Sequence, residues 1–205
     1  INRYFTGSIA LGGNVNFNHR NFDPFTWAAG LAAVTNDIGI FATFHVPTVH
    51  PVRAAKEVAT IDHISGGRFC LNMVAGWNDK EINMFGVPQR GHDERYEYAE
   101  DWVNVCKDLW TKEGFFDYSG PYFDVPNAYS EPKPVQNPHP VLMSAGNSER
   151  GQHFGQQHGD VRCRTHATGP SMGRPRVSSS ISIWMRCSSG RPGNALNAQG
   201  SHSSK

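Results

Sequence analysis

Between positions 72 and 96 the chain sets Asn72, Trp77, Asn78, Glu81, His92, Asp93, Arg95 and Tyr96 within 25 residues. Carboxylates, an imidazole, a guanidinium, a phenol and amides at this density can orient a polar ligand, move a proton or hold an anion. They follow an apolar run, Phe69 to Ala75, that ends in Gly76-Trp77. A buried strand opening onto a polar, glycine-marked loop is a common carrier of chemistry: the scaffold is rigid and the loop is accessible.

Three histidines are candidates for acid–base work. His45 lies near the C-terminal end of an apolar strand and is the preferred one; His50 precedes Pro51 and can cap a helix; His92 is close to Arg95. Arg95 falls in a first helical turn, where a cation opposes the helix dipole. Either Asp93, Glu94 or an anionic ligand should compensate it. Asn72 is an amide in an apolar strand, so it needs a hydrogen-bond partner, from backbone or ligand. Glu81 can accept from a ligand or lie solvated on a short helix. Trp77 can stack on a ring, or cap the core, the reading preferred here. Ser148 follows Gly146-Asn147 and can N-cap a helix starting at Glu149, whose N-terminus suits an anion. No His/Asp/Glu set has metal-ligand spacing.

The elements that must position these groups alternate. Asp23-Pro24 starts a helix running to Thr35, with Phe25, Ala28, Leu31 and Ala32 on one face. A strand follows over Ile38 to Val46. Pro51 starts a second helix with Val52, Ala55, Val58, Ala59 and Ile61 inward, closed by Gly66-Gly67. After the strand 69–75, a third helix is expected from an Asp93 cap, its apolar stripe running from Tyr96 to Trp110. Residues 115–126 read as a hairpin turning at Ser119-Gly120, and Val141 to Ala145 as a short strand before the Glu149 helix. Such alternation predicts a parallel sheet with crossover helices, as a closed barrel or an open doubly wound sheet. No phosphate-binding glycine fingerprint follows any strand, which weakens the nucleotide-binding open sheet.

The whole chain has 205 residues and a net charge of +1, so nothing global points to nucleic acid or a membrane surface. That balance conceals a break. Residues 1–160 carry 12 basic and 18 acidic side chains; residues 161–205 carry 7 basic and none acidic, with ten Ser, six Arg and no apolar period. The latter reads as a disordered basic tail or, the preferred reading, as a coding frame shifted near position 160. It lacks the dense basic clusters of a nucleic-acid arm. Residues 1–22, rich in Gly and Asn, read as a long loop, and a start at Ile1 without Met suggests a missing N-terminal segment. Cys70, Cys106, Cys163 and Cys187 form no CxxC pair; Cys70 and Cys106 are expected as buried thiols in a reducing, cytoplasmic compartment.

Several stretches together resemble the bacterial luciferase-like family of flavin-dependent monooxygenases, in its pyrimidine, alkanesulfonate and dimethyl sulfone monooxygenase branch. They are PFTWAAGLAAVT (24–35), ATIDHISGGRFCLNMVAGW (59–77), Glu81, ERYEYAEDW (94–102) and SAGNSERG (144–151). The resemblance spans roughly residues 10–160. It implies a (β/α)8 TIM barrel that uses reduced FMN and O2 to oxygenate a small organic substrate. A separate NAD(P)H-dependent flavin reductase would supply the flavin, and the complete protein would be a homo-oligomer. It places flavin contacts at Asn72, Glu81, Arg95, Tyr96 and Ser148; His45, chosen for its place near a strand end, is the candidate catalytic residue. The alternatives are a deazaflavin-dependent oxidoreductase of the same superfamily and a truncated, non-catalytic fragment. A full barrel takes ~250 residues, and only residues 1–160 carry the pattern. The expectation is therefore an incomplete barrel domain (1–160) plus a tail (161–205) that binds flavin poorly or not at all as written.

Overall fold

A computed structural model of the chain describes residues 22–162. The N-terminal loop and the basic tail beyond Arg162, with Cys163 and Cys187, lie outside the described residues.

Helix α1 (Pro24–Val34) starts as the sequence dictates: the Asp23 carboxylate accepts from Thr26 N at 2.7 Å and Pro24 occupies the first turn. Strand β1 (Ile40–His45) leads through a 3-10 turn into α2 (Pro51–Ser65), where His50 Nδ1 accepts from Val52 N. Gly66 ends α2 in the left-handed region, at φ 63°. Strand β2 (Phe69–Val74), the short α3 (Asp79–Met84) and the long α4 (His92–Thr111) follow. Then come the hairpin β3 (Phe116–Ser119) and β4 (Asp124–Ala128), β5 (Val141–Ser144), α5 (Glu149–His158) and β6 (Val161–Arg162).

Strands β1, β2, β5 and β6 form one parallel sheet in that order, and the hairpin stands apart. Among these four strands, chain order and sheet order coincide. A doubly wound sheet would reverse its order at a switch point; a barrel wall does not. The chain therefore builds an arc of a (β/α)8 barrel. Register assigns the two faces. Thr43 pairs with Asn72 and Asn72 with Met143, so Phe41, Thr43, His45, Cys70, Asn72 and Met143 share one face. The opposite face carries Ile40, Ala42, Phe44, Phe69, Leu71, Met73 and Leu142, all buried. It meets the helices: Phe44 stacks on Phe25 of α1 and meets Trp102 of α4 edge-on. The first face is the barrel interior, where Phe41 is 46% exposed and Cys70 is only half-buried. Cys70 thus departs from the expected buried thiol because it faces the lumen. Cys106 is fully buried, and burial pushes its thiol well above the usual range.

Three polar locks hold the helices to the other end and side of the arc. Arg68 donates to Ser65 O, Ala32 O, Thr35 O and Ile38 O, at 2.7 to 3.0 Å, and so ties the ends of α1 and α2 to the entry of β1. It also shortens β1: the Ile38 carbonyl is engaged by Arg68, and the ladder starts at Ile40. Asp62, fully buried on α2, accepts from Gln136 N and Nε2, which anchors the proline-rich crossing before β5. Asp101, buried on α4, accepts from the Tyr118 hydroxyl at 2.5 Å and from the amides of Tyr122 and Phe123. That clamps the hairpin onto α4, and burial together with Asp101 raises the Tyr118 pKa. Two further expectations need correction. Val52 is 37% exposed in the first turn of α2; the inward face is Ala54, Ala55, Val58, Ala59 and Ile61. Helix α4 begins one residue before the expected cap, at His92 with Gly91 as N-cap, because Asp93 instead accepts from the adjacent His92 ring.

Arg68→Ala should lower unfolding free energy by roughly 2–4 kcal/mol, since it strands several carbonyls at once. Arg68→Lys should recover little of it, for want of the planar fork. Urea denaturation of the three chains checks both. His158, 7% exposed against Phe154, is held neutral: burial first, then the Lys107 charge, pull its pKa down to about 4. Its contribution is present above the unfolded value of about 6.5 and is lost as pH falls from there toward 4. His158→Gln should flatten that acid limb of a stability–pH curve.

Candidate functional site at the C-terminal strand ends

The candidate residues converge on the ends of β1, β2 and β5, the catalytic end of a barrel. β2 leaves the sheet through Gly76, at φ 83°. A Cβ there would stand 3.0 Å from Pro47 Cγ and 3.1 Å from Ile82 Cδ1, so only glycine fits both the conformation and the space. The turn sends the chain into α3, which Asn78 caps through Lys80 N. Ile82 is fully buried beneath it, and Glu81 is carried inward beside it.

Glu81 is 3% exposed, so the solvated reading of this residue is wrong. Its Oε2 lies 3.7 Å from Nδ1 of His45, itself 8% exposed at the end of β1. Neither carboxylate oxygen accepts a hydrogen bond among the described residues, and burial raises the Glu81 pKa. Asn72, one layer deeper, donates to Thr43 Oγ1 at 3.0 Å across the β1–β2 pair, while its buried Oδ1 has no donor among the described residues. The partner of Asn72 is thus a side chain rather than backbone. Thr43 went unnoticed in the sequence, where only the strand register could have revealed it.

Arg95 and Tyr96 sit half-buried in the first turns of α4. Arg95 Nη1 donates to Gly76 O at 2.6 Å, and its buried Nε has no hydrogen-bond partner among the described residues. Glu94 does not compensate it: Glu94 lies 3.7 Å from Arg90. The phenol of Tyr96 is wedged where α5 meets its preceding loop, 2.5 Å from where a Gly151 Cβ would be and 3.0 Å from that of Gly146. Ser148 caps α5, accepting from Gly151 N at 3.1 Å. His92 joins the two helices: Nδ1 contacts Asp93 at 2.7 Å and Nε2 contacts Ser148 Oγ at 3.1 Å. With Nδ1 donating to Asp93, Nε2 is left to accept the serine hydroxyl.

Two groups are therefore assembled: His45, Glu81 and Asn72 at the strand ends, and Tyr96 and Ser148 at the α4–α5 junction. Arg95 links them through Gly76. Trp77 is 54% exposed and does not cap the core. A cavity of about 530 Å³ lies elsewhere, between α1 and α2, lined by Phe25, Phe44 and Ile61 with Arg53 and Glu57. It contains none of the six candidates. No group of three or more His, Cys, Asp or Glu side chains among the described residues could hold a metal ion, and no described helix is long and apolar enough to cross a membrane.

The family model "luciferase-like monooxygenase" matches residues 9–168. The chain belongs to the luciferase-like monooxygenase family. It is similar to the pyrimidine monooxygenase RutA of Allorhizobium ampelinum, with 41% identity over 142 residues, 68% of this chain and 38% of that protein. Among solved structures it is similar to a riboflavin lyase crystallised with modified FMN and riboflavin: TM-score 0.67, 30% identity, 71% of this chain and 37% of that one. The EDTA monooxygenase of Chelativorans sp. BNC1 gives TM-score 0.65 and 27% identity over 70% of this chain and 39% of that one. The chain thus spans well under half the length of these luciferase-like relatives.

Gly76→Ala should destabilise the chain by about 1–3 kcal/mol, the scale of a forced backbone strain, in thermal or urea unfolding. Gly86→Ala, also at positive φ but with open space around it, should cost less.

Proposed function

We propose that this chain carries the cofactor half of a reduced-FMN- and O2-dependent monooxygenase acting on a small organic substrate. The observation that carries the reading is the set of buried, unsatisfied polar atoms at the strand ends: Glu81 Oε1 and Oε2, Asn72 Oδ1 and Arg95 Nε. A fold leaves such atoms unpaired at a cost of about 1–3 kcal/mol each, so a ligand is their natural complement. Three acceptors and one donor fit the mixed hydrogen-bonding edge and hydroxylated side chain of a flavin. The α5 N-terminus, with Ser148 as cap and Tyr96 beside it, suits the flavin phosphate.

When bound, reduced FMN would supply the activation of O2 that oxygen transfer requires. The protein's own part is to fix the ring with Asn72 and Glu81, to hold the phosphate end at Arg95, Tyr96 and Ser148, and to keep His45 as a proton carrier at the strand mouth. The likeness to a pyrimidine monooxygenase makes a pyrimidine the first substrate to test. A separate NAD(P)H-dependent flavin reductase in the same cytoplasm would deliver the reduced cofactor, and the complete enzyme would be a homo-oligomer. A deazaflavin in place of FMN is the weaker reading, since the curated relative is a monooxygenase.

The test is fluorescence titration of FMN against the 205-residue chain and against the same chain extended by the C-terminal part of a pyrimidine monooxygenase. The chain alone should bind weakly or not at all. The extended chain should bind FMN, and Glu81→Ala or Asn72→Ala should weaken it by roughly 5- to 150-fold, the equivalent of one lost buried hydrogen-bond set. Unchanged affinity in both variants would refute the assignment.

A further inference from the structure

Glu81 and His45 stand out from the other ionisable side chains described. Each is more than nine-tenths buried, on different elements, and their facing atoms are 3.7 Å apart. Both carboxylate oxygens of Glu81 lack a hydrogen-bond donor among the described residues. A carboxylate cannot remain charged, buried and without donors unless a cation faces it or a proton neutralises it. Other ionisable groups nearby do not supply that cation. Asp79 and Lys80 of α3 are exposed, as is His50 at the start of α2, and Arg95 of α4 directs its Nη1 at the Gly76 carbonyl. β2 (Phe69–Val74) carries no charged side chain, and its Asn72 is neutral and donates to Thr43.

We propose that Glu81 and His45 hold one proton between them at neutral pH, as a buried proton store at the mouth of the strands. The proton rests on the carboxyl when the site is empty. It passes to the imidazole when a ligand donates N–H or O–H groups to Glu81, because those donors stabilise the carboxylate. The transfer is internal: Glu81 loses a proton, His45 gains it, and none is exchanged with solvent. A ligand bound there then faces a cationic His45, placed to donate a proton to it. Burial, which raises the Glu81 pKa, agrees with the resting arrangement. The proposal rests on the flavin-site reading for the identity of the ligand, but not for the existence of the pair.

The test is NMR titration of the ligand-free 205-residue chain, following the His45 ring nitrogens and the Glu81 carboxyl carbon. In the ligand-free chain the Glu81 carboxyl should stay protonated at neutral pH and be the group that gives up the pair's last proton, while the His45 ring, facing a neutral carboxyl, should be neutral there and keep the midpoint it has in Glu81→Gln. His45→Gln serves as the second variant, in which the Glu81 carboxyl should still be protonated at neutral pH but has no imidazole to take its proton when a ligand binds. Amide spectra of both variants establish that they fold. A Glu81 carboxyl that is ionised at neutral pH in the ligand-free chain, or a His45 ring already cationic there, would overturn the proposal. FMN is then added to the extended chain. A protonated Glu81 in the ligand-free chain without FMN binding refutes the flavin reading alone, and FMN binding that leaves His45 neutral refutes the proton pair alone.

Discussion

The polar end of this molecule depends on one backbone constraint, the positive φ of Gly76 in a space already filled by Pro47 and Ile82. That residue turns the chain out of β2 and back under itself. Its carbonyl receives Arg95 from α4, and the turn after it buries Glu81 against His45. Strand, short helix and long helix thereby meet at a single peptide. The side chains that could do chemistry come from β1, β2, α3 and α4, yet their relative positions all pass through this junction. A side chain at position 76 would disturb the contact with the 3-10 turn after β1 and the packing of α3 together.

The two ends of the arc are built on opposite principles. At the strand entries and along the hairpin, charged side chains are saturated: Arg68 engages four carbonyls, Asp62 two Gln136 donors and Asp101 three donors. Such networks stiffen a fold because every donor and acceptor is matched. At the strand exits the opposite holds: Glu81, Asn72 and Arg95 keep buried polar atoms unmatched among the described residues. Arg90 Nη1 and His158 Nε2 are also unmatched among the described residues, but the strand exits gather most of these broken local rules into one cluster, which marks a place where stability has yielded to function.

Local chemistry was legible in the sequence. Asp23, His50 and Ser148 cap the helices they were expected to cap, Gly66 closes α2, and the Ser119-Gly120 hairpin is present. These features depend on neighbours within four residues. What failed depends on which face of the sheet is the lumen. Cys70 and Trp77 were assigned to a core because they lie in or beside an apolar run, but Cys70 faces the barrel interior and Trp77 the surface. Glu81 could not be told from a solvated residue, since its burial follows from the Gly76 turn rather than from its own surroundings in sequence. The Thr43–Asn72 pair needed the register, and the His92–Ser148 link joins residues 56 apart.

The central claim is that the Gly76 junction makes β2 and α3 one cooperative unit, with the site formed before any ligand arrives. Native-state amide hydrogen exchange tests it most directly, through the α3 amides of Glu81 and Ile82, both bonded to Asn78 O, and those of β2. The account predicts that the two sets open together, with similar protection and similar dependence on denaturant. Exchange of Glu81 and Ile82 orders of magnitude faster than β2, independent of denaturant, would show α3 to be locally frayed. It would contradict a preformed site.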